Sequence, residues 1–599
     1  VREPVTDIKE AIKDSSKNTL FATAEATDPG TDVYKTLTGT NTFYGQHHFP
    51  LETLVCVAKP TEEGLEIHAA TQWLDAMHIM ISRALNIKEN KIDVHVRRIG
   101  GGYGMKISRS IQSAVACSLV AHKLNRPCRF IMPLSTILKS VGKRLPCVIN
   151  YEVAVNNTGE VQYINKELYE DNGYKVNEMI STICFDLYNN CYDKTKINCK
   201  IYDSITDTPK NTFCRSPGTL EAIASMEHIM ERISYELSLD PVAVRLANVD
   251  STFLSTYTEL VDKFKIDTDY IPRRAAVDSF NTQNRWKKRG LRWSFVRWAP
   301  MGAQHFDMNL TVFHGDGSVL ITHAGVEMGQ GINTKAIQLV AYLLKIPVEY
   351  IQVKANSTVI TPNSFMSGGS LTTSSIIIGL KRCCAQLNAR LEPIRATLSD
   401  PTWEELIKAA YNADVDLQAH GFTGFGDAQL YHVYGLALCE VEVDVLTGEF
   451  EILRVDMMQD VGLSLNPDID IGQVEGAFIM GLGYWTCEKI YYTKTGENLT
   501  NRAWDYHIPV SKDTPQDFRI YLMPNSYSNE QINGSKGTGE PPICASVVVA
   551  FAIREAITQA RKEYGTPTTE WFTIGKIFGL CKPYTFIYYT LKKIQYIIV

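Results

Sequence analysis

The sequence predicts an α+β protein built as two large mixed α/β lobes. Three observations carry that prediction. Strand-like and helix-like segments alternate through most of the chain. Glycine-rich turns recur where a strand hands over to a helix. A polar, basic stretch, NTQNRWKKRG at 281–290, stands between the two halves and reads as a solvated linker. At 599 residues the chain is long enough for two or more cores.

The elements follow in order. KIDVHV alternates apolar and polar residues, as a half-buried strand does, and SRSIQSAVACSLVAHKL then reads as a helix ending before NRPC. SVLITHAG is a strand and NTKAIQLVAYLLKI a helix. GLALCEVEVDVLTGEFEILRVDMMQD reads as a hairpin turning at LTGE.

Composition excludes several classes. Apolar residues make up 45% and charged residues 21%, ordinary for a globular protein. A net charge of −6 gives no sign of nucleic-acid binding. No run of about 18 apolar residues stands out, so no membrane span is expected. The first residue is Val1, and VREPVTDIKEAI reads as the middle of something, so a fragment or processed product is expected. The 14 cysteines show no CxxC pair and no plant-type ferredoxin spacing. They read as free, buried thiols of a reducing compartment, which places the protein in the cytoplasm.

Five glycine-rich turns bear on chemistry: IGGGYGMK (99–106), GVEMGQG (325–331), SFMSGGSLTTSS (364–375), DIGQVEG (470–476) and GTGEPP (537–542). Glycine lets backbone approach closely, and backbone N–H groups at helix starts attract anions. One such turn is plain loop chemistry, whereas five together suggest a large, oxygen-rich ligand gripped from several sides. GGGYGMK lacks both the Lys-Ser/Thr ending of a P-loop and the third glycine of a dinucleotide fingerprint. A nucleotide-binding module is therefore disfavoured. No zinc spacing occurs, and the adjacent His47 and His48 make a weak metal pair. A metal would have to arrive with its own ligands, inside an organic cofactor. In GTGEPP, Glu540 sits between a glycine and two prolines. The residue before a proline is expected to be extended, which would hold the carboxylate still. The bland alternative is a carboxylate complementing a helix N-terminus.

GGGYGMK, GVEMGQGINTK, SGGSLTTSS, IDIGQVEGAFIMGLG and SKGTGEPP together resemble the molybdenum-cofactor part of the xanthine dehydrogenase/aldehyde oxidase family, over roughly residues 1 to 574. The nearer sub-match is aldehyde oxidase, and more loosely its insect members. The resemblance implies molybdenum carried by the dithiolene of a pyranopterin between the two lobes. It implies a glutamate as general base, water as the oxygen source, and electrons leaving through two [2Fe–2S] clusters to FAD. By this resemblance Glu540 is the base. Gln72, Gly102, Tyr103, Gly104, Arg215, Met328, Gln330, Gly368, Gly369, Ser370 and Gln473 fall on cofactor-binding positions. Tyr103 and Met105 stand where the family more often has Phe and Gly.

Three departures bear on substrate. Ile107 and Ile183 stand where xanthine-oxidising members have a glutamate and an arginine, and Pro217 replaces a stacking phenylalanine. Without those contacts a purine's polar edge would be buried unpaired, at a cost. An aldehyde substrate is therefore expected over a purine. The domains expected are the end of a truncated α/β hammerhead domain at 1–20 and cofactor-binding domains at 21–280 and 281–574, with an atypical tail at 575–599. Iron–sulfur and FAD modules belong to a longer parent, expected as a homodimer. A truncated chain that binds cofactor without turnover is the remaining alternative.

Overall fold

Among the described residues, the alternation read from the sequence becomes four sheets and the helices that cover them. The computed structural model describes residues 2–300, 302, 304–427, 430–524, 526, 534–565, 569 and 571–572. The expected tail at 575–599 lies outside the described residues.

The first half of the chain makes a five-stranded sheet in the order Asn18–Ala24, Ile197–Ser204, Val161–Asp171, Cys147–Val155, Lys35–Phe43. The first of these strands crosses the expected boundary at 20/21. A second five-stranded sheet holds Ile92–Val96, the strand read from KIDVHV. The second half makes two four-stranded sheets. One pairs Lys287–Trp298 with Val433–Asp444, which pairs in turn with Phe450–Gln459. These last two strands are the hairpin read around LTGE. The other contains Val319–His323, and the helix Ile332–Leu344 follows it.

The two halves are not separate bodies. Asn356–Ser357 from the second half pairs with Ile92–Val96 in the first half's second sheet. The largest core mixes Ile149 and Ile201 of the first half with Phe295, Leu438 and Phe551 of the second. Buried charges bind across the same seam. Glu227 accepts from Arg245 Nε at 2.9 Å and from the Phe295 N–H at 3.1 Å. Satisfying those groups avoids the large cost of an isolated buried charge.

The stretch 281–290 is not a solvated linker. It closes the helix Tyr270–Gln283 and opens the strand Lys287–Trp298. Lys288 is buried, donates from Nζ to the Asn281 carbonyl at 2.6 Å and pairs with Glu563 at 2.6 Å. Gly290 lets this strand touch the helix Val548–Glu563: a Cβ there would lie 1.9 Å from the Ala552 carbonyl oxygen. Pro541–Glu563 is long and apolar enough to cross a membrane by composition, yet 83% of its most apolar window is buried inside the protein. It is a core segment, and its burial accounts for its apolarity.

Candidate active site

A cavity of about 400 Å³ lies between the two halves. Its wall contains all fifteen positions singled out in the sequence, from Gln72 to Glu540, including Ile107, Ile183 and Pro217. The chain brings them together through loops that leave strands and enter helices.

After Ile92–Val96 the chain turns through Tyr103 at φ 53° and Gly104 at φ 99° before the helix Met105–Leu124 begins. A tyrosine in the left-handed region is uncommon. Here the Tyr103 carbonyl accepts the Arg215 N–H at 3.0 Å. Gln72 ties the turn down. Its Oε1 accepts the Gly104 N–H at 3.1 Å, and its Nε2 donates to the Ser367 carbonyl at 2.8 Å. A Cβ on Gly102 would come within 2.5 Å of Gln72 Oε1.

Gln330 closes its own loop. Its Oε1 accepts the Met328 N–H at 2.7 Å and its Nε2 donates to the Val326 carbonyl at 2.9 Å. Only the second hydrogen and second lone pair of that amide are left for a ligand. DIGQVEG is not a strand-to-helix turn: it lies inside the helix Pro467–Trp485, capped by Asn466, with proline at its first position. Its glycines mark a helix face without side chains, which a turn reading mistakes for a bend. Gln473 therefore reaches the cavity from a helix. Arg215 Nη2 donates to the Gln473 carbonyl at 3.1 Å and to its Oε1 at 3.2 Å, and Arg215 Nε donates to the Gly539 carbonyl. One guanidinium thus joins the 213–218 loop, a helix and the GTGEPP turn. Gly368, Gly369 and Ser370 precede the helix Thr372–Arg395, and Ser370 Oγ lies against Gly539.

Glu540 precedes the short helix Pro541–Ala545 with φ −111° and ψ −39°, so it is not extended. The steric preference imposed by Pro541 gives way to hydrogen bonds on both sides. Its carbonyl accepts the Ser216 hydroxyl at 2.7 Å and the Ile543 N–H at 3.2 Å, and its Oε1 accepts the Ser216 N–H at 3.1 Å. The helix-end reading fails on this geometry. The first two helical residues are prolines without N–H, and no helix donor reaches the carboxylate. Glu540 lines the cavity and is half-buried in its wall. Desolvation raises its pKa above the usual carboxylate value, against the lowering by the Ser216 N–H, Arg215 and Arg144. Burial outweighs the groups that favour the charged form.

The same cavity is lined by Ile107, buried on the first turn of Met105–Leu124, by Ile183 on the helix Ile180–Asp186, and by Pro217, which follows Ser216. Trp298, Met366 and Leu371 join the wall without having been foreseen. Trp298 ends a strand, and nothing in its neighbours marks it. Lys335 and Lys536 also line the cavity, but each is paired outward, Lys335 with Asp470 at 2.8 Å and Lys536 with Asp460. Lys536 lies inside SKGTGEPP and Ser216 directly follows Arg215, but neither carries the glycine signal that marks the turns. His47 and His48 serve the scaffold. His48 Nε2 bonds the Phe213 carbonyl at 2.6 Å, and burial pushes its pKa down to about 4.

The wall has room for a large group. A Cβ on Gly329 or Gly472 would meet no protein atom within 4 Å, and one on Gly476 would meet only Arg215 Nη1 at 3.9 Å. These glycines leave free the volume that side chains would fill. Backbone amides, glutamine amides and a guanidinium edge that volume, which suits a polar, oxygen- and nitrogen-rich ligand. Among the described residues no cluster of His, Cys, Asp and Glu would hold a metal directly.

Residues 13–249 and 263–515 each match a family described as a molybdopterin cofactor-binding domain. Aldehyde oxidase 1 of Cavia porcellus is 32% identical over 600 residues, covering 94% of this chain and 45% of its own length. The xanthine dehydrogenase of Drosophila subobscura is 33% identical over 549 residues, covering 87% of this chain and 41% of its own length. The chain thus spans less than half of the curated relatives it matches. Among solved structures, quinoline 2-oxidoreductase from Pseudomonas putida 86 superposes with a TM-score of 0.81 at 20% identity, covering 94% of this chain and 80% of that one. Aldehyde oxidoreductase from Desulfovibrio gigas gives 0.76 at 20% identity, over 91% and 62%. Both share the fold.

Proposed function

The chain belongs to the xanthine dehydrogenase/aldehyde oxidase family of molybdenum hydroxylases and comprises its molybdopterin cofactor-binding portion, and on that premise we propose that it forms the catalytic site of an aldehyde-oxidising enzyme. The reaction takes an aldehyde and water to a carboxylic acid, two protons and two electrons. One observation carries the proposal: a glutamate whose pKa is raised by desolvation lines one glycine-rich cavity together with Ile107, Ile183 and Pro217.

The cofactor, when bound, supplies the redox centre that takes up the two electrons. Arg215, Gln473, Gln330, Met328 and the 102–104 and 368–370 turns would hold it, with Gln72 bracing the first of these turns. Glu540 receives a proton at Oε1 or Oε2, and its raised pKa matches a base that must bind a proton and release it again. The hydrophobic wall takes the carbon side of the substrate and excludes water from it.

The relatives are equally similar in name to both activities, so the choice between aldehyde and purine rests on the wall. Nothing at Ile107 or Ile183 can pair with a purine's polar edge. A purine hydroxylase is the second reading, and a chain that binds cofactor without turnover the third. We further place two [2Fe–2S] clusters and FAD in a longer parent, as a cytoplasmic homodimer. The thirteen described cysteines are all unpaired, which fits a reducing compartment. The test is kcat/KM of the full-length parent for benzaldehyde and for xanthine. The aldehyde is expected to win by a wide margin, and a parent that prefers xanthine overturns the assignment.

A further inference from the structure

Ser216 occupies an unusual place. It is wholly buried and sits at φ 62°, in the left-handed region, where a residue with a Cβ is uncommon. Every polar atom it has is engaged. Its N–H donates to Glu540 Oε1 at 3.1 Å and its hydroxyl to the Glu540 carbonyl at 2.7 Å. Its carbonyl accepts Arg144 Nη1 at 3.3 Å and the Leu220 N–H at 3.2 Å. Arg144 also donates to the Arg215 carbonyl at 2.7 Å.

We propose that Ser216 is a positioning residue for Glu540, gripping its carboxylate and its backbone carbonyl at once. The two bonds act on different parts of one residue, so together they fix the side chain relative to its own main chain. A single bond to the carboxylate would leave the backbone free to take the extended form that Pro541 favours. Strained backbone persists where surrounding contacts over-determine it, and here the strain serves a grip that a relaxed turn would lose. The charged and titratable groups around the carboxylate are Arg215 and Arg144, with Cys544 on the following helix. Lys335 and Lys536 on the cavity wall are held by Asp470 and Asp460.

The inference deepens the reading of Glu540 as the base and rests on it. The test compares Ser216→Ala and Ser216→Gly with wild type. Both keep the N–H and lose the hydroxyl, but only glycine relieves the left-handed backbone. The first readout is the Glu540 carboxyl band in infrared titration of the 599-residue chain, assigned by subtracting the Glu540→Gln spectrum. The second is single-turnover reduction of the cofactor-loaded chain by an aldehyde. Both variants should raise the midpoint of the band by about half a pH unit as the N–H contact loosens. Both should slow reduction about tenfold at unchanged molybdenum content. A Gly variant that matches wild type while Ala loses would make Ser216 a turn residue only and overturn the proposal. So would two variants that move neither readout. Should the Ala variant not fold, the Gly variant decides alone. If Glu540→Gln itself leaves reduction unchanged, the base assignment falls, and the infrared midpoint still decides whether Ser216 positions the carboxylate.

Discussion

Part of the cavity wall, around Glu540, is made of backbone, amides and one guanidinium, whereas Ile107, Ile183 and Pro217 give the same cavity side chains of carbon alone. On the polar side each group is fixed by several others. Arg215 joins three segments, Gln72 joins two, and Ser216 grips Glu540 twice. On the apolar side each residue comes from a different segment and contributes shape. Hydrogen bonds are directional and dear to leave unmade, while hydrophobic contact is tolerant of shape changes. The polar wall should therefore fail abruptly on substitution and the apolar wall should change its preference by degrees.

The largest expected effect is on the polar wall. Glu540→Gln keeps size and hydrogen bonding but cannot take a proton at neutral pH. Aldehyde-driven reduction of the molybdenum centre should fall by about 10²–10⁴-fold, with molybdenum content unchanged. Anaerobic stopped-flow of the full-length parent measures it. Equal rates would place the base elsewhere.

Gly104→Ala should strike the same wall through the backbone. The residue sits at φ 99°, and the new Cβ would lie 2.5 Å from the Phe213 carbonyl oxygen. A cost of about 1–3 kcal/mol is expected, with loss of bound molybdenum. Urea unfolding and metal analysis check both. Wild-type stability and loading would mean that the 102–104 turn yields more easily than its hydrogen bonds imply.

The apolar wall should answer more gently. Ile107→Glu combined with Ile183→Arg should raise kcat/KM for xanthine relative to benzaldehyde by about tenfold or more, because a purine's polar edge gains partners. The single Ile107→Glu change should cost stability instead, since it leaves a carboxylate buried and unpaired. Steady-state kinetics on both substrates would sharpen the contrast, and an unchanged ratio would show that the wall does not select the substrate.

Much of this was legible in the sequence because the site is built from turns. Glycines at strand-to-helix junctions advertise close backbone approach, and that signal is local. The parts that escaped are non-local. The basic run at 281–290 looked solvated because Lys288 finds its partners at Asn281 and, far along the chain, at Glu563. DIGQVEG looked like a turn because glycines on a helix face facing a cavity resemble glycines in a bend. Glu540 was expected to be extended from the proline that follows it, and the contacts with Ser216, 324 positions earlier, join the local Ile543 N–H in overriding that preference.

The smallest effect concerns stability, and it tests the burial of Glu540 directly. Its folded pKa is raised, with desolvation the largest cause. A carboxyl raised in the folded state favours folding fully at pH values below its unfolded pKa. That contribution is lost as pH rises through the folded pKa, because the enclosed group must then carry a charge. At neutral pH the wild type bears this penalty and Glu540→Gln does not. The mutant should therefore unfold at a slightly higher denaturant concentration than wild type at pH 7. The gap should narrow as pH falls below the folded pKa and close below the ordinary carboxylate value, where Glu540 is neutral in both states. Denaturation midpoints across that range measure it. A wild type that is the more stable protein at pH 7 would mean that Ser216, Arg215 and Arg144 outweigh desolvation. Glu540 would then stand as a settled anion, which would make it a weaker base than its enclosure implies.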